Sequence, residues 1–343
     1  MSDSKPGLLA LLDGSGVVCA EGYLFECERR GYVQAGAFVP EVVLEHPEVV
    51  ASLHREFVHA GSDIVEAFTY YGHREKLRLV GKEHILEPLN RTALAIAREV
   101  ARESGTLLAG NLSNTNLWAD ENARPGIRAM FAEQVDWAVE EGSELLIGET
   151  FSYLEEALLC TQVMRESGLP TVVTLVFHQE DFTRDGYGVR ESFQALEQAG
   201  ADVVGVNCGR GPLTTLPLLA EIRQAVSCHV AALPVPYRTT PAQPTMQSLR
   251  DPRTPDVRAF PTGLDPFTCT RYEMAEFARD AYALGVNYVG VCCGAGPHHI
   301  RGVAEAMGRL PYASAYSPDM SKHAYLGSDP TLKVGNKQYA GML

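Results

Sequence analysis

Three cysteines carry the clearest chemistry in this chain. Cys208 closes the apolar run Asp202–Cys208, and Cys292 and Cys293 close the run Tyr288–Gly294. Zinc favours thiolate ligands, and a catalytic zinc takes three protein ligands while keeping a fourth position open. Neighbouring residues on a regular strand point to opposite faces. The adjacent pair therefore serves one ion only where its strand has ended, and Gly294 permits the turn this requires. On spacing alone, two other readings stay open: a vicinal disulfide between Cys292 and Cys293, or one buried cysteine beside a single ligand. Cys19, Cys27, Cys160, Cys228 and Cys269 have no partner spacing and read as small buried apolar residues.

A divalent ion held by three thiolates is electron-rich. A thiol arriving as fourth ligand loses its proton, because coordination strongly depresses its pKa. Such a site suits the presentation of a substrate sulfur better than the activation of water. Polar residues close the other apolar runs and fit that role. They are Asp13-Gly14, Thr69-Tyr70-Tyr71, Asn111-Leu112-Ser113, Glu149-Thr150 and Asn207. Asp13 and Glu149 offer carboxylates to the ammonium of an amino acid whose thiol sits on the metal. Alternatively, Asp13 holds a turn and Glu149 caps a helix. Thr69 and Asn207 either bind the substrate's carboxylate or hold the loops. Phe38, Tyr70 and Tyr71 supply rings for a methylated cation, a quaternary ammonium or a sulfonium, with core packing as the alternative.

The elements that must position these residues alternate. Apolar runs of buried-strand length lie at Leu8–Asp13, Asp63–Thr69, Thr106–Ser113, Glu144–Thr150, Thr171–Phe177, Asp202–Cys208, His229–Val235 and Tyr288–Gly294. Helical patterns lie at Glu41–Ala60, Glu83–Glu103, Gly126–Glu141, Tyr153–Ser167, Arg190–Gln198, Leu213–Val226, Arg271–Leu284 and His298–Met307. Gly61, Gly142, Gly200 and Gly285 each stand between a helix and the next strand, where a left-handed cap turns the chain back. Eight such units predict a (β/α)8 TIM barrel with zinc at the C-terminal face of the strands. A doubly wound open sheet also alternates, but no run leads into a Gly-x-Gly-x-x-Gly turn. Two Pro/Gly-punctuated interruptions, Gly14–Pro40 and Pro234–Asp265, are expected to build the catalytic face. The barrel is expected over residues 1–310. Residues 311–343 form a tail that either covers another surface, as at the interface of a homo-oligomer, or is partly disordered.

Composition bounds the rest. The chain has 343 residues, 45% apolar and 21% charged, and a formal charge of −14 that disfavours nucleic-acid partners. No apolar run approaches the roughly 18–20 residues that span a bilayer, and no basic segment with a long apolar stretch marks a signal peptide. Eight cysteines in a chain with so large a core are expected to be reduced, in a cytoplasmic protein.

Gly205-Val206-Asn207-Cys208, and Gly290-Val291-Cys292-Cys293-Gly294 followed by Gly296-Pro297-His298-His299-Ile300-Arg301, resemble the zinc motifs of the homocysteine S-methyltransferases. Within that family the chain looks most like the betaine–homocysteine branch. Leu12-Asp13-Gly14, Glu28-Arg29-Arg30-Gly31-Tyr32-Val33, Glu45-His46-Pro47-Glu48 and His54-Arg55-Glu56-Phe57 carry that likeness, as does the stretch from Ala60 through Tyr71 to Leu77. The resemblance runs from about Leu8 to Lys322. It implies zinc, homocysteine as acceptor, an onium methyl donor and a homo-oligomer. It implies Cys208, Cys292 and Cys293 as metal ligands, Asp13 and Glu149 as contacts to homocysteine's amino group, and Tyr71 as a donor-site ring. Phe38 stands where the betaine enzymes have tryptophan, and Thr150 where they have tyrosine. Phenylalanine presents a weaker cation-binding face, so the donor stays open between betaine and a thetin or sulfonium such as dimethylsulfoniopropionate. S-methylmethionine as donor, with homocysteine or selenohomocysteine as acceptor, is the alternative. A non-catalytic thiol–zinc or redox sensor is the reading from a different class. The tail is shorter than the C-terminal extension of the animal enzymes.

Overall fold

A computed structural model describes residues 5–340 and Met342. Among the described residues, eight parallel strands close on themselves: β1 (Val17–Ala20), β2 (Ile64–Glu66), β3 (Leu107–Ser113), β4 (Leu145–Phe151), β5 (Thr171–Leu175), β6 (Val203–Asn207), β7 (His229–Leu233) and β8 (Tyr288–Val291). Closure is made by β8 against β1, with Val17 opposite Tyr288 and Ala20 opposite Val291. This is the expected barrel and not an open sheet.

The first unit departs from expectation. Leu8–Asp13 is a helix, α1, and not the first strand. The physical difference is legible afterwards: Leu-Leu-Ala-Leu-Leu-Asp contains good helix formers and no β-branched residue, whereas Val17-Val18 is β-branched. Leu8 and Leu12, one turn apart, pack against Val17, Ile64, Leu107 and Tyr288 in the barrel interior. Helix α1 thus plugs the N-terminal end of the barrel. The segment expected as one loop, Gly14–Pro40, consequently contains β1 itself and the helix α2 (Tyr23–Arg29).

The helices that follow are α3 (Val42–Glu45), α4 (Pro47–Ala60), α5 (Arg74–Leu79), α6 (Leu86–Ser104), α7 (Arg124–Glu140), α8 (Leu154–Glu166), α9 (Val189–Gln198), α10 (Pro212–Ala225), α11 (Arg271–Ala283) and α12 (Pro297–Ala306). The single helix expected at Glu41–Ala60 breaks at His46, because Pro47 holds the residue before it out of the helical region. Gly61, Gly142, Gly200 and Gly285 all have positive φ, as the turn-back argument requires. Side chains alternate along each strand. Leu107, Ala109, Leu145 and Ile147 fill the barrel, while Leu108 and Leu146 join the larger strand–helix layer. After α12 the chain makes short 3-10 turns at Tyr312–Tyr316 and Met320–Lys322 and a helix, α13 (Val334–Ala340). Leu310, Tyr312, Tyr316 and Val334 there are each at least 71% exposed.

His54 on α4 is fully buried, and neither ring nitrogen has a hydrogen-bond partner among the described residues. Its ring meets Tyr23 edge-on at 4.8 Å. Burial lowers its pKa to about 3, so the folded chain keeps it neutral. The unfolded chain protonates it below about pH 6.5. The group therefore costs no stability above that pH and progressively more as pH falls toward 3. At pH 5 the penalty is about 2 kcal/mol relative to pH 7.5. A His54→Leu variant is expected to gain that amount over the parent between the two pH values in urea unfolding. A difference that does not change with pH would show that the histidine protonates in place.

Candidate active site

Cys208 follows β6 directly, and Cys292 and Cys293 follow β8, one strand further on than β7. Cys208 has φ 56 and Gly294 has φ 93, so both chains turn sharply out of their strands. A Cβ at Gly294 would lie 2.2 Å from the Tyr237 hydroxyl, which leaves room for no other residue there. The three sulfurs come within 4.8 Å of one another and are buried. All eight cysteines are free thiols, so Cys292 and Cys293 form no vicinal disulfide.

The donor set fits a divalent, thiophilic ion. Hydrogen bonds from the Cys292 and Cys293 thiols hold the Cys208 pKa well below its ordinary value. Burial pushes the Cys292 thiol up, and the bond to Cys208 does the same to Cys293. A thiophilic cation seated among the three sulfurs would favour their thiolate forms and find three ligands, as a zinc with an open fourth position requires.

Beneath the sulfurs lies a line of buried carboxylates joined by amides. Asn111 Nδ2 donates to Glu66 Oε1 and to Glu149 Oε1, both at 2.7 Å. Asn207 Nδ2 lies 2.7 Å from Glu149 Oε2, 2.8 Å from Thr150 Oγ1 and 3.2 Å from Glu21 Oε2, more acceptors than its two protons can serve fully. Glu21 Oε1 and Asn111 Oδ1 have no partner among the described residues. A small recess of about 20 Å³ opens among Glu21, Glu66, Glu149, Cys292 and Cys293, and no cationic side chain lines it. That volume holds one water-sized group, the size of an ammonium head. Burial pushes the pKa of all three carboxyls up, Glu149 to about 7. A cation placed among them would restore the charged forms.

A larger cavity of about 290 Å³ begins at Cys208 and Cys293 and opens outward. Phe38, Tyr70, Tyr71, Trp118, Tyr153 and Phe260 contribute rings to its wall. The Tyr70 and Tyr71 rings lie 4.3 Å apart, Phe38 leans on Phe25 at 5.5 Å, and Lys76 Nζ sits 3.9 Å over the Tyr71 ring. Among the described residues, the non-glycine positions with left-handed backbone are Phe38, Tyr71, Asn116, Thr150 and Cys208, and every one lines this cavity. Strain of this kind persists where surrounding contacts over-determine it and collects at functional sites. At Thr150, a β-branched residue, Asn207 Oδ1 accepts from the backbone N–H and Asn114 donates to the carbonyl.

The structure brings Cys208, Cys292, Cys293, Glu149, Asn207, Phe38, Tyr70 and Tyr71 to this mouth. Thr69 lies beside it, but its hydroxyl donates to the Asn111 carbonyl at 2.8 Å and so braces the strand ends. Asp13 and Gly14 are corrections. Asp13 ends α1 and Gly14 caps it, at the opposite end of the barrel, where the Asp13 side chain is 75% exposed and lies 3.4 Å from His229 at the start of β7. Glu21, the residue after β1, occupies the position that the misplaced first strand gave to Asp13. Glu66 and Trp118 were also missed. Glu66 is the single charged residue within the apolar stretch Ile64–Phe68, and that isolation was its signal.

These features define an enzyme-like mouth on a (β/α)8 barrel, with a thiol triad competent for metal, a recess for a cationic head and a ring-walled cavity. The family model described as homocysteine S-methyltransferase matches residues 22–307. A betaine–homocysteine S-methyltransferase 1 from Danio rerio is 38% identical over 334 residues, spanning 95% of this chain and 81% of the relative. The S-methylmethionine–homocysteine S-methyltransferase BHMT2 of Mus musculus is 33% identical over 331 residues, spanning 95% and 87%. The fold matches the crystal structure of the homocysteine methyltransferase MmuM from Escherichia coli in its metallated form, with a TM-score of 0.67, 18% identity, and 86% of this chain and 98% of that one covered. The chain belongs to the homocysteine S-methyltransferase family.

Proposed function

We propose that this chain transfers a methyl group from an onium donor to homocysteine, giving methionine, with zinc held by Cys208, Cys292 and Cys293. The observation that carries the reading is the meeting, at Cys208 and Cys293, of the thiol triad, the carboxylate recess and the ring-walled cavity. Zinc there would supply a fourth position at which a substrate thiol is deprotonated near neutral pH.

The chain's own residues do the rest. Glu21 and Glu149 take the ammonium of homocysteine, with Asn111 and Asn207 aiming their carboxylates. Glu66 anchors Asn111 from the other side. Phe38, Tyr70 and Tyr71, with Trp118, wall the space for the methylated cation. That placement sets the homocysteine sulfur against a methyl carbon in line with the leaving atom. One sulfur–carbon bond forms, the carbon–nitrogen or carbon–sulfonium bond breaks, and its electron pair stays on the leaving atom. Anion and cation neutralise each other as the bond forms, which lowers the barrier where both have left bulk water.

The exposed apolar residues of the tail support a homo-oligomer, and the free thiols support a reducing, cytoplasmic setting. Among the described residues no helix is long and apolar enough to cross a membrane. The donor is identified by supplying glycine betaine, dimethylsulfoniopropionate and S-methylmethionine, each carrying a 13C methyl group, with homocysteine and zinc. Labelled methionine is expected from at least one. Absence of label from all three would exclude the reading.

A further inference from the structure

The ring-walled cavity has a charged outer end that the onium-binding role leaves unexplained. Arg184 lines both this cavity and a second, outer one of about 630 Å³, together with His178 and Gln247. Arg250 and Arg258 line the outer cavity too, against a single carboxylate, that of Glu180. The entrance is thus locally positive on a chain whose net charge is −14. Among the described residues the Arg184 guanidinium has no carboxylate or carbonyl partner, and the neighbouring Asp185 is spent capping α8 through the Leu154 and Glu155 N–H groups.

The segment that carries Arg184 is nevertheless firmly held. Its backbone N–H donates to the Ser152 carbonyl at 2.8 Å. Ser152 Oγ meets His178 Nε2 at 3.1 Å. The buried Arg210, two residues after Cys208, ties the same segment down through the carbonyls of Phe177, His178 and Glu180 and through Asp181. A free guanidinium on an anchored segment, at the far end of a cavity that starts at the thiols, is placed to take an anion. The one carboxylate on the cavity wall, Glu156, takes the Thr115 N–H and hydroxyl on Oε1 at 2.8 and 2.5 Å and makes no ion pair with Arg184.

We propose that Arg184 is a specificity-determining residue for the methyl donor: its guanidinium pairs with a carboxylate on the donor while the onium methyl lies among the rings. Resting on the donor reading above, this makes the substrate a zwitterion with onium and carboxylate at opposite ends. A bare onium cation would leave Arg184 unpaired and meet a repulsive entrance.

The test compares the zinc-loaded full chain with Arg184→Gln at saturating homocysteine. The donors are glycine betaine and dimethylsulfoniopropionate, which carry a carboxylate, and trimethylsulfonium, which does not. For the donor that is used, Arg184→Gln is expected to raise KM about tenfold or more with kcat within about twofold. KM for homocysteine stays unchanged, turnover of trimethylsulfonium does not fall and rises as the repulsion at the entrance is relieved, and Arg184→Lys recovers part of the loss with the carboxylated donor. An unchanged KM for the carboxylated donor, or an equal loss with trimethylsulfonium, would overturn the assignment while leaving methyl transfer intact. Parent enzyme inactive with every onium donor would remove the donor reading and this assignment together.

Discussion

Replacing Cys208 with alanine is expected to leave the barrel folded and to remove both metal and turnover. Zinc content falls from about one per chain to near zero, and methionine formation falls by more than about 100-fold, the upper range for loss of a mere supporting contact to a metal ligand. The barrel does not depend on this side chain. Cys208 lies after β6 ends, and its backbone N–H is bonded to the Leu233 carbonyl whichever residue stands there. Alanine tolerates the φ of 56 no worse than cysteine does. The loss is chemical: two sulfurs remain where an open site for a fourth ligand needs three. Far-UV circular dichroism and urea unfolding establish that the fold survives, and metal analysis with a turnover assay reads the effect. A variant that kept both zinc and activity would show that the triad is not the metal site.

The second large effect separates two glutamates from an aspartate. Glu21→Gln keeps the shape and one hydrogen bond to Asn207, but removes a negative charge from a recess with no cationic side chain. Truncating one partner of a buried charge pair costs about 2–5 kcal/mol. KM for homocysteine is therefore expected to rise about 100-fold, with a smaller fall in kcat. Glu149→Gln is expected to do the same and also to disturb Asn111 and Asn207, which both donate to it. Asp13→Asn is expected to change KM by less than about twofold, because a mostly exposed surface pair contributes little. The opposite ranking, with Asp13 critical and Glu21 silent, would place the amino-group site at the wrong end of this barrel.

That contrast also shows how far the sequence is legible. The alternation of apolar runs and helical patterns was enough for the barrel, since buried parallel strands and glycine-ended helices leave strong local signals. The thiol triad was legible because residue type, strand-end position and the Gly294 turn agree. The first strand was misread because Leu8–Asp13 is as apolar as a buried strand, and composition cannot distinguish a strand from a short plugging helix of the same length. Only β-branching at Val17-Val18 marked the true strand, and with it Glu21. Glu66 was hidden by the run around it, and its meaning depends on Asn111 from the next strand. Trp118 and Arg184 lie on loops whose paths follow from tertiary packing, so no periodicity announces them.

X-ray absorption at the zinc edge tests the central claim, that the three thiols form a metal site which takes the acceptor's sulfur, most directly. Purified chain with one zinc bound is expected to show three sulfur neighbours at about 2.3 Å, rising to four on addition of homocysteine. A sulfur count that does not change with homocysteine, or zinc bound without sulfur neighbours, would contradict it.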